Sequence, residues 1–150
     1  MKKYLLATFL IVLTLIGCSS ANNNSKTEDT SNTEKVSDDL KNIFETNGYT
    51  FSSENANKNI LEGDRINITL NDAEDLQVFI YDSIRNADLD SQRISSDGFS
   101  YTKDEMSSSI DWSKSPHFYK YNNLIILYLG NNEELLTLLT NHFGNQIAGE

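Results

Sequence analysis

Cysteine is almost missing from this chain: its 150 residues hold one, Cys18, and the only proline is Pro116. A lone thiol closes no intramolecular disulfide and builds no thiolate metal site, so stability has to come from a hydrophobic core. Histidine is nearly as scarce. Neither His117 nor His142 has a second ligand at helical or hairpin spacing, which argues against structural zinc. Positive charge is also sparse. Beyond residue 17, ten basic residues face 22 acidic ones, a formal charge of −12. That balance repels phosphate backbones and anionic headgroups, which excludes nucleic acid as a partner and leaves no polybasic membrane patch.

The one long apolar run lies at the N-terminus. Lys2 and Lys3 precede Leu5 to Ile16, interrupted only by Thr8 and Thr14, and small residues follow. This is the layout of a secretory signal, and the stretch Tyr4 to Gly17 is shorter than the about 20 residues of a bilayer span. Its end, Leu15-Ile16-Gly17-Cys18, resembles the lipobox of bacterial lipoproteins. The resemblance implies that Cys18 is acylated, becomes the first mature residue, and holds the protein on the extracytoplasmic face of the cell membrane. Two or more acyl chains give stable anchoring, at about 0.8 kcal/mol per buried CH₂. The alternative is an ordinary cleaved signal with an incidental cysteine.

Three regions follow: 1–17 as signal peptide, 18–35 as lipidated cysteine and tether, and 36–150 as the folded part. Ser19 to Lys35 holds one apolar residue, Ala21, too little to offset the entropy of ordering, so disorder is expected there. A helix should start with Ser37 as N-cap and bury Val36, Leu40, Ile43 and Phe44 before Gly48 ends it. Tyr49 to Ser53 can be a short strand. Arg65 to Leu70 alternates cleanly and pairs with Leu76 to Tyr81 across a polar turn. Asp82 or Ser83 can cap a helix over Ile84 to Ile94, with Ile84, Ala87, Ser91 and Ile94 on its apolar face. Phe99 to Tyr101 and Ser109 to Trp112 are short strand candidates. His117 to Tyr121 and Leu124 to Leu129 flank Asn122-Asn123, and asparagine tolerates the positive φ of a tight hairpin. Leu124 to Leu129 is apolar on both faces and should be the central, doubly covered strand. A last helix follows, capped at Asn131 and stopped by Gly144. The fold class read from this order is α+β: a single small domain, an antiparallel or mixed sheet with about three helices packed on it.

The stretch from Trp112 to Gly149 is similar to that of small lipoproteins of low-GC Gram-positive bacteria. It runs through Pro116-His117-Phe118-Tyr119-Lys120, Leu124 to Asn131, and Gly144-Asn145-Gln146-Ile147-Ala148-Gly149. This resemblance implies a location and an architecture, and no mechanism.

Motifs with catalytic overtones fail on context. Ser100-Tyr101-Thr102-Lys103 matches S-x-x-K, but Ser96-Asp97-Gly98 precedes it and no K-T-G follows. Gly98-Phe99-Ser100-Tyr101-Thr102 lacks the last glycine of a nucleophile elbow. Asp88 to Gln92 opens like a calcium loop, yet Arg93 stands where glycine is required and Phe99 where glutamate is. Asp72, Glu74 and Asp75 read first as a solvated turn, with weak calcium binding as the alternative. No catalytic residue and no cofactor is expected.

One cluster stands out. Trp112, His117, Tyr119 and Tyr121 are close in sequence, and strand alternation puts the last three on one face, opposite Phe118. If helices cover the Phe118 side, a tyrosine strip faces solvent as a partner surface; otherwise these rings complete the core. The functional expectation is a binding module for a protein partner, a cationic one given the charge. The competing expectation is a small cell-envelope hydrolase whose site carries no known motif.

Overall fold

Alternation in the strands and 3.6-residue periodicity in the helices account for most of the architecture. The computed structural model describes residues 25–149, with side chains from Asn32 onward. The signal peptide expected over 1–17 and the lipid site at Cys18 lie outside the described residues. The elements run α1 (Ser25–Thr46), β1 (Phe51–Ala56), β2 (Asp64–Leu70), β3 (Glu74–Ile80), α2 (Ile84–Ser91), β4 (Ser100–Lys103), β5 (Met106–Ser109), β6 (Pro116–Tyr121), β7 (Leu124–Leu129), α3 (Glu133–Phe143) and β8 (Gln146–Gly149). Six strands form one antiparallel sheet in the order β1-β2-β3-β7-β6-β8, and β4 pairs β5 in a separate hairpin. The result is a single small α+β domain.

Turn chemistry sets the hairpins. Asn71 and Asp72 have φ of 52° and 55° between β2 and β3, and Asn122 has φ of 51° between β6 and β7. These residues occupy the left-handed region that tight hairpin loops need, the loop being three residues between Leu70 and Glu74 and two between Tyr121 and Leu124. Gly48 and Gly144, at φ of 87° and 93°, close α1 and α3 as expected.

Side-chain alternation then sorts the sheet into two faces. On one, Ile66, Ile68 and Leu70 of β2, Leu76, Val78 and Ile80 of β3, and Leu124, Ile126 and Tyr128 of β7 are buried under α1 and α3. Leu40 and Phe44 dock from α1, and Leu135, Leu139 and Phe143 dock from α3. On the other face, Phe79, Ile125, Leu127 and Phe118 pack with Leu61, Ala87 of α2, Tyr101 of β4 and Ala148 of β8. The strand Leu124 to Leu129 is covered on both sides, as its composition required.

Several expectations are corrected. The tether over 18–35 is helical from Ser25, so α1 begins inside it. The packed turns around Leu40 and Phe44 supply the nucleus, and each further residue then adds a helical bond without a new nucleation cost. Ser37 is therefore no cap; its hydroxyl lies 2.8 Å from that of Ser53 on β1. The cap of α3 is Asn132, whose side chain accepts from the amides of Glu134 and Leu135. The first small strand is shifted to β4 and the second to β5, and β8 forms at the C-terminal edge. Asp72, Glu74 and Asp75 do not converge: Glu74 takes Tyr128 and Asn132, while Asp75 accepts from Thr69.

The aromatic partner face is not a solvent face. His117, Tyr119 and Tyr121 do share a side, but α3 lies on it. Tyr119 is 1 % exposed and His117 5 %, and of the three only Tyr121, at 46 %, meets solvent. Trp112 is on the opposite side, edge-on to Phe118 at 6.2 Å, and donates to the Gly98 carbonyl at 2.8 Å. The apolar stripe of α3 decides the matter, because it needs the tyrosine side of β6 to bury Leu139 and Phe143.

Candidate functional site

The site begins with a charge in an apolar position. Asp90 lies in the last turn of α2 and is 2 % exposed, on the side where Ala87 docks against the sheet. A buried carboxylate is tolerated only when its oxygens are hydrogen-bonded. Four donors converge on it. Oδ1 accepts from the Tyr101 hydroxyl at 2.5 Å and the Arg93 guanidinium at 3.0 Å. Oδ2 accepts from the Tyr81 hydroxyl at 2.7 Å and the Glu62 amide at 2.8 Å. Arg93 also donates to the Tyr101 oxygen at 3.2 Å.

Local sequence explains each position. Ser83 caps α2 through the Asn86 amide, which starts the helix so that Ala87 and Asp90, three apart, face the sheet. Arg93, three further on, reaches back to the carboxylate. Tyr101 alternates inward on β4. Gly63 lets the loop before β2 approach β3: a Cβ there would stand 3.0 Å from the Ile80 nitrogen and the Phe79 Cβ. One carboxylate thus ties four segments together.

The electrostatics follow from burial and bonding. Burial alone raises the Asp90 carboxyl, but the bonds from Tyr101, Tyr81, the Glu62 amide and Arg93 outweigh it, and the group lies below the ordinary aspartate range. Burial and the adjacent carboxylate push the Tyr101 hydroxyl up to about 12 and raise Tyr81 still further. Asp90 is therefore ionised and saturated with donors. It is a strut, with no lone pair aimed at a substrate.

Beside the strut lies a cleft of about 230 Å³. Its apolar wall is Tyr81 and the half-exposed Leu89; its polar rim includes Lys58, Glu62, Asp64 and Asp82. Lys58 meets Asp64 at 2.8 Å, Lys103 pairs with Glu62, and Lys120 of β6 meets Asp88 at 2.6 Å. Carboxylates outnumber cations around the opening, and Asp82 is exposed at the lip. Among the described residues no group of three or more His, Cys, Asp and Glu side chains could hold a metal ion. None of their helices is long and apolar enough to cross a membrane.

Of the residues expected at a site, Cys18 is outside the described region, and Trp112, His117, Tyr119 and Tyr121 are divided between two faces. The cleft residues were missed. Asp88 to Gln92 opens like a calcium loop and Ser100 to Lys103 matches a catalytic motif; both segments instead build the Asp90 network. The usable signal was Asp90 at three residues from Ala87 and three from Arg93, a charge on the helix's inner stripe. No protein-family model, curated protein or solved structure matches the chain.

Proposed function

We propose that this protein is a lipid-anchored extracytoplasmic binding module that captures a cationic protein partner, with the α2 cleft as the recognition site. The cleft carries the reading: it pairs an apolar wall with a surplus of carboxylates at its mouth. A lysine or arginine of a partner suits both, its methylene stem lying along Leu89 while its charged head meets Asp82 and the rim. The overall negative charge supports it, since it steers cationic partners toward the surface. Anchoring through Cys18 supplies the location. The saturated state of Asp90 favours binding over hydrolysis, because a carboxylate occupied by four donors is a poor general base.

The test is association of a lysine-rich peptide and of partners crosslinked on intact cells, with the chain bearing Asp82→Asn and Leu89→Ala as control. Both positions are exposed, so melting temperature should stay unchanged while peptide binding weakens about tenfold and the native rate slows with salt. Equal binding by the variant, or no dependence on salt, refutes the reading. The anchor is tested separately: Cys18→Ala should abolish fatty-acid labelling, and retained label would exclude it.

A further inference from the structure

The six-stranded sheet has two edges, and they differ. At one, β8 is short, its register with β6 shifts between Phe118 and Tyr119, and the Gly149 amide donates to the Ser96 carbonyl at 2.9 Å. A short, irregular and covered strand offers little to a passing chain. At the other edge, β1 pairs with β2 in unbroken register from Phe51 to Ala56, and no bulge, lysine or proline interrupts it. Its outward groups follow from the pairing. Thr50 accepts from the Asn71 amide at 3.2 Å and donates its own amide to the Asn71 side chain at 2.8 Å, so its backbone points toward β2. Alternation then turns Ser52, Glu54 and Ala56 toward β2, and Phe51, Ser53 and Asn55 away from it. The outward amides and carbonyls of these three have no partner among the described residues. Ser53 and Asn55 are exposed, so the row is a template for one more strand.

The charge beside the edge decides the occupant. A groove of about 320 Å³ lies between β1 and the flank of α1, where Glu34, Ser37 and Asp38 face Ser53, Glu54 and Asn55. Its lining includes three carboxylates and no lysine or arginine, and Glu34, Asp38 and Glu54 are all exposed. A second copy of the chain would bring the same carboxylates against these, and like charges across a strand pair repel. A basic segment meets the opposite sign.

We infer that the free edge of β1 binds an extended basic peptide as a seventh strand. The peptide's main chain bonds to the outward groups of Phe51, Ser53 and Asn55, and its lysine or arginine side chains meet Glu34, Asp38 and Glu54. Backbone bonds supply affinity at any sequence that can extend, and the carboxylates select for positive charge. This surface shares no lining residue with the α2 cleft and does not rest on the role proposed for it.

The experiment is amide hydrogen exchange, read by ¹H–¹⁵N NMR, on the intact chain titrated with a short peptide alternating lysine and threonine. The same peptide N-methylated at alternate amides, and one with glutamate in place of lysine, are the controls. At saturation the lysine peptide should slow exchange of the Ser53 and Asn55 amides about tenfold or more, and the controls should not. The protection should persist in the chain carrying Asp82→Asn and Leu89→Ala, which separates this edge from the α2 cleft. Ser53→Pro removes an outward amide and no ladder bond, a change edge strands tolerate, and should abolish the protection at Asn55. Glu34→Gln with Asp38→Asn, both at exposed helix positions, should weaken binding about fivefold, and carries the test if Ser53→Pro does not fold. No protection by the lysine peptide overturns the inference, and so does an equal response to either control or one that vanishes with Asp82→Asn and Leu89→Ala. Protection that appears without peptide and grows with protein concentration also overturns it, because the edge then belongs to a second copy.

Discussion

Under α1 and α3 the sheet is buried by aliphatic and aromatic side chains whose spacing repeats every two residues in strands and every three to four in helices. Under α2 and the β4–β5 hairpin, the apolar contacts are fewer, and a carboxylate sits among them with two tyrosines and an arginine. The first side is held by area removed from water, which is non-directional and tolerates small shifts. The second is held by a directional network whose members fail together. The difference shows how one small domain combines a generic core with a specified surface: the loop before β2, α2 and β4 are positioned around one carboxylate, and the cleft exists because they are.

The sharpest way to break the comparison is to remove the carboxylate. Asp90→Ala leaves Arg93, Tyr81, Tyr101 and the Glu62 amide without their acceptor, and should cost about 3–5 kcal/mol in denaturant unfolding. On the other side, Leu139→Ala opens a cavity beneath α3 and should cost about 2–5 kcal/mol. The two should differ in kind. Hydrogen exchange in Asp90→Ala should rise first in α2 and β4, whereas Leu139→Ala should loosen α3 against β6. Tyr101→Phe removes one of the four donors and should cost about 0.5–1.5 kcal/mol. Smallest is Tyr121→Ala, at a ring half in solvent against Phe143, which should cost no more than about 1 kcal/mol in the same melts.

The same division governs what could be read without a structure. The α1–α3 side was legible because burial leaves a period: Ile66, Ile68 and Leu70, the doubly apolar β7, and the leucines of α3 all point to their places. The α2 side was not. Its inner stripe reads as Ile84, Ala87, Ser91 and Ile94, but the helix turns Asp90 inward beside Ala87 and leaves Ile84 exposed. Three hydrogen bonds from other segments, with a fourth from Arg93, outweigh the burial of one isoleucine, and pattern alone carries no record of such long-range partners. The tyrosine face failed for a related reason. Alternation correctly grouped His117, Tyr119 and Tyr121, but which side of β6 a helix covers is decided by α3, which begins only at Glu133. The short strand β8 was missed because Gln146 to Gly149 has no alternation of its own and exists as an edge paired to β6.

The central claim is that a buried, ionised Asp90 holds one side of the sheet while hydrophobic burial holds the other. Its carboxyl lies below the ordinary value in the fold. Such a group contributes stability that is fully present above the unfolded-chain pKa of about 3.9 and is lost as pH falls through the lower folded value. The decisive measurement is the cost of Asp90→Asn and of Leu139→Ala in parallel denaturant melts as pH is lowered from about 7 toward about 3. The expected result is an Asp90→Asn cost that shrinks steadily below about pH 4 while the Leu139→Ala cost stays level. An Asp90→Asn cost that does not change with pH, or one no larger than an exposed substitution gives, would contradict it.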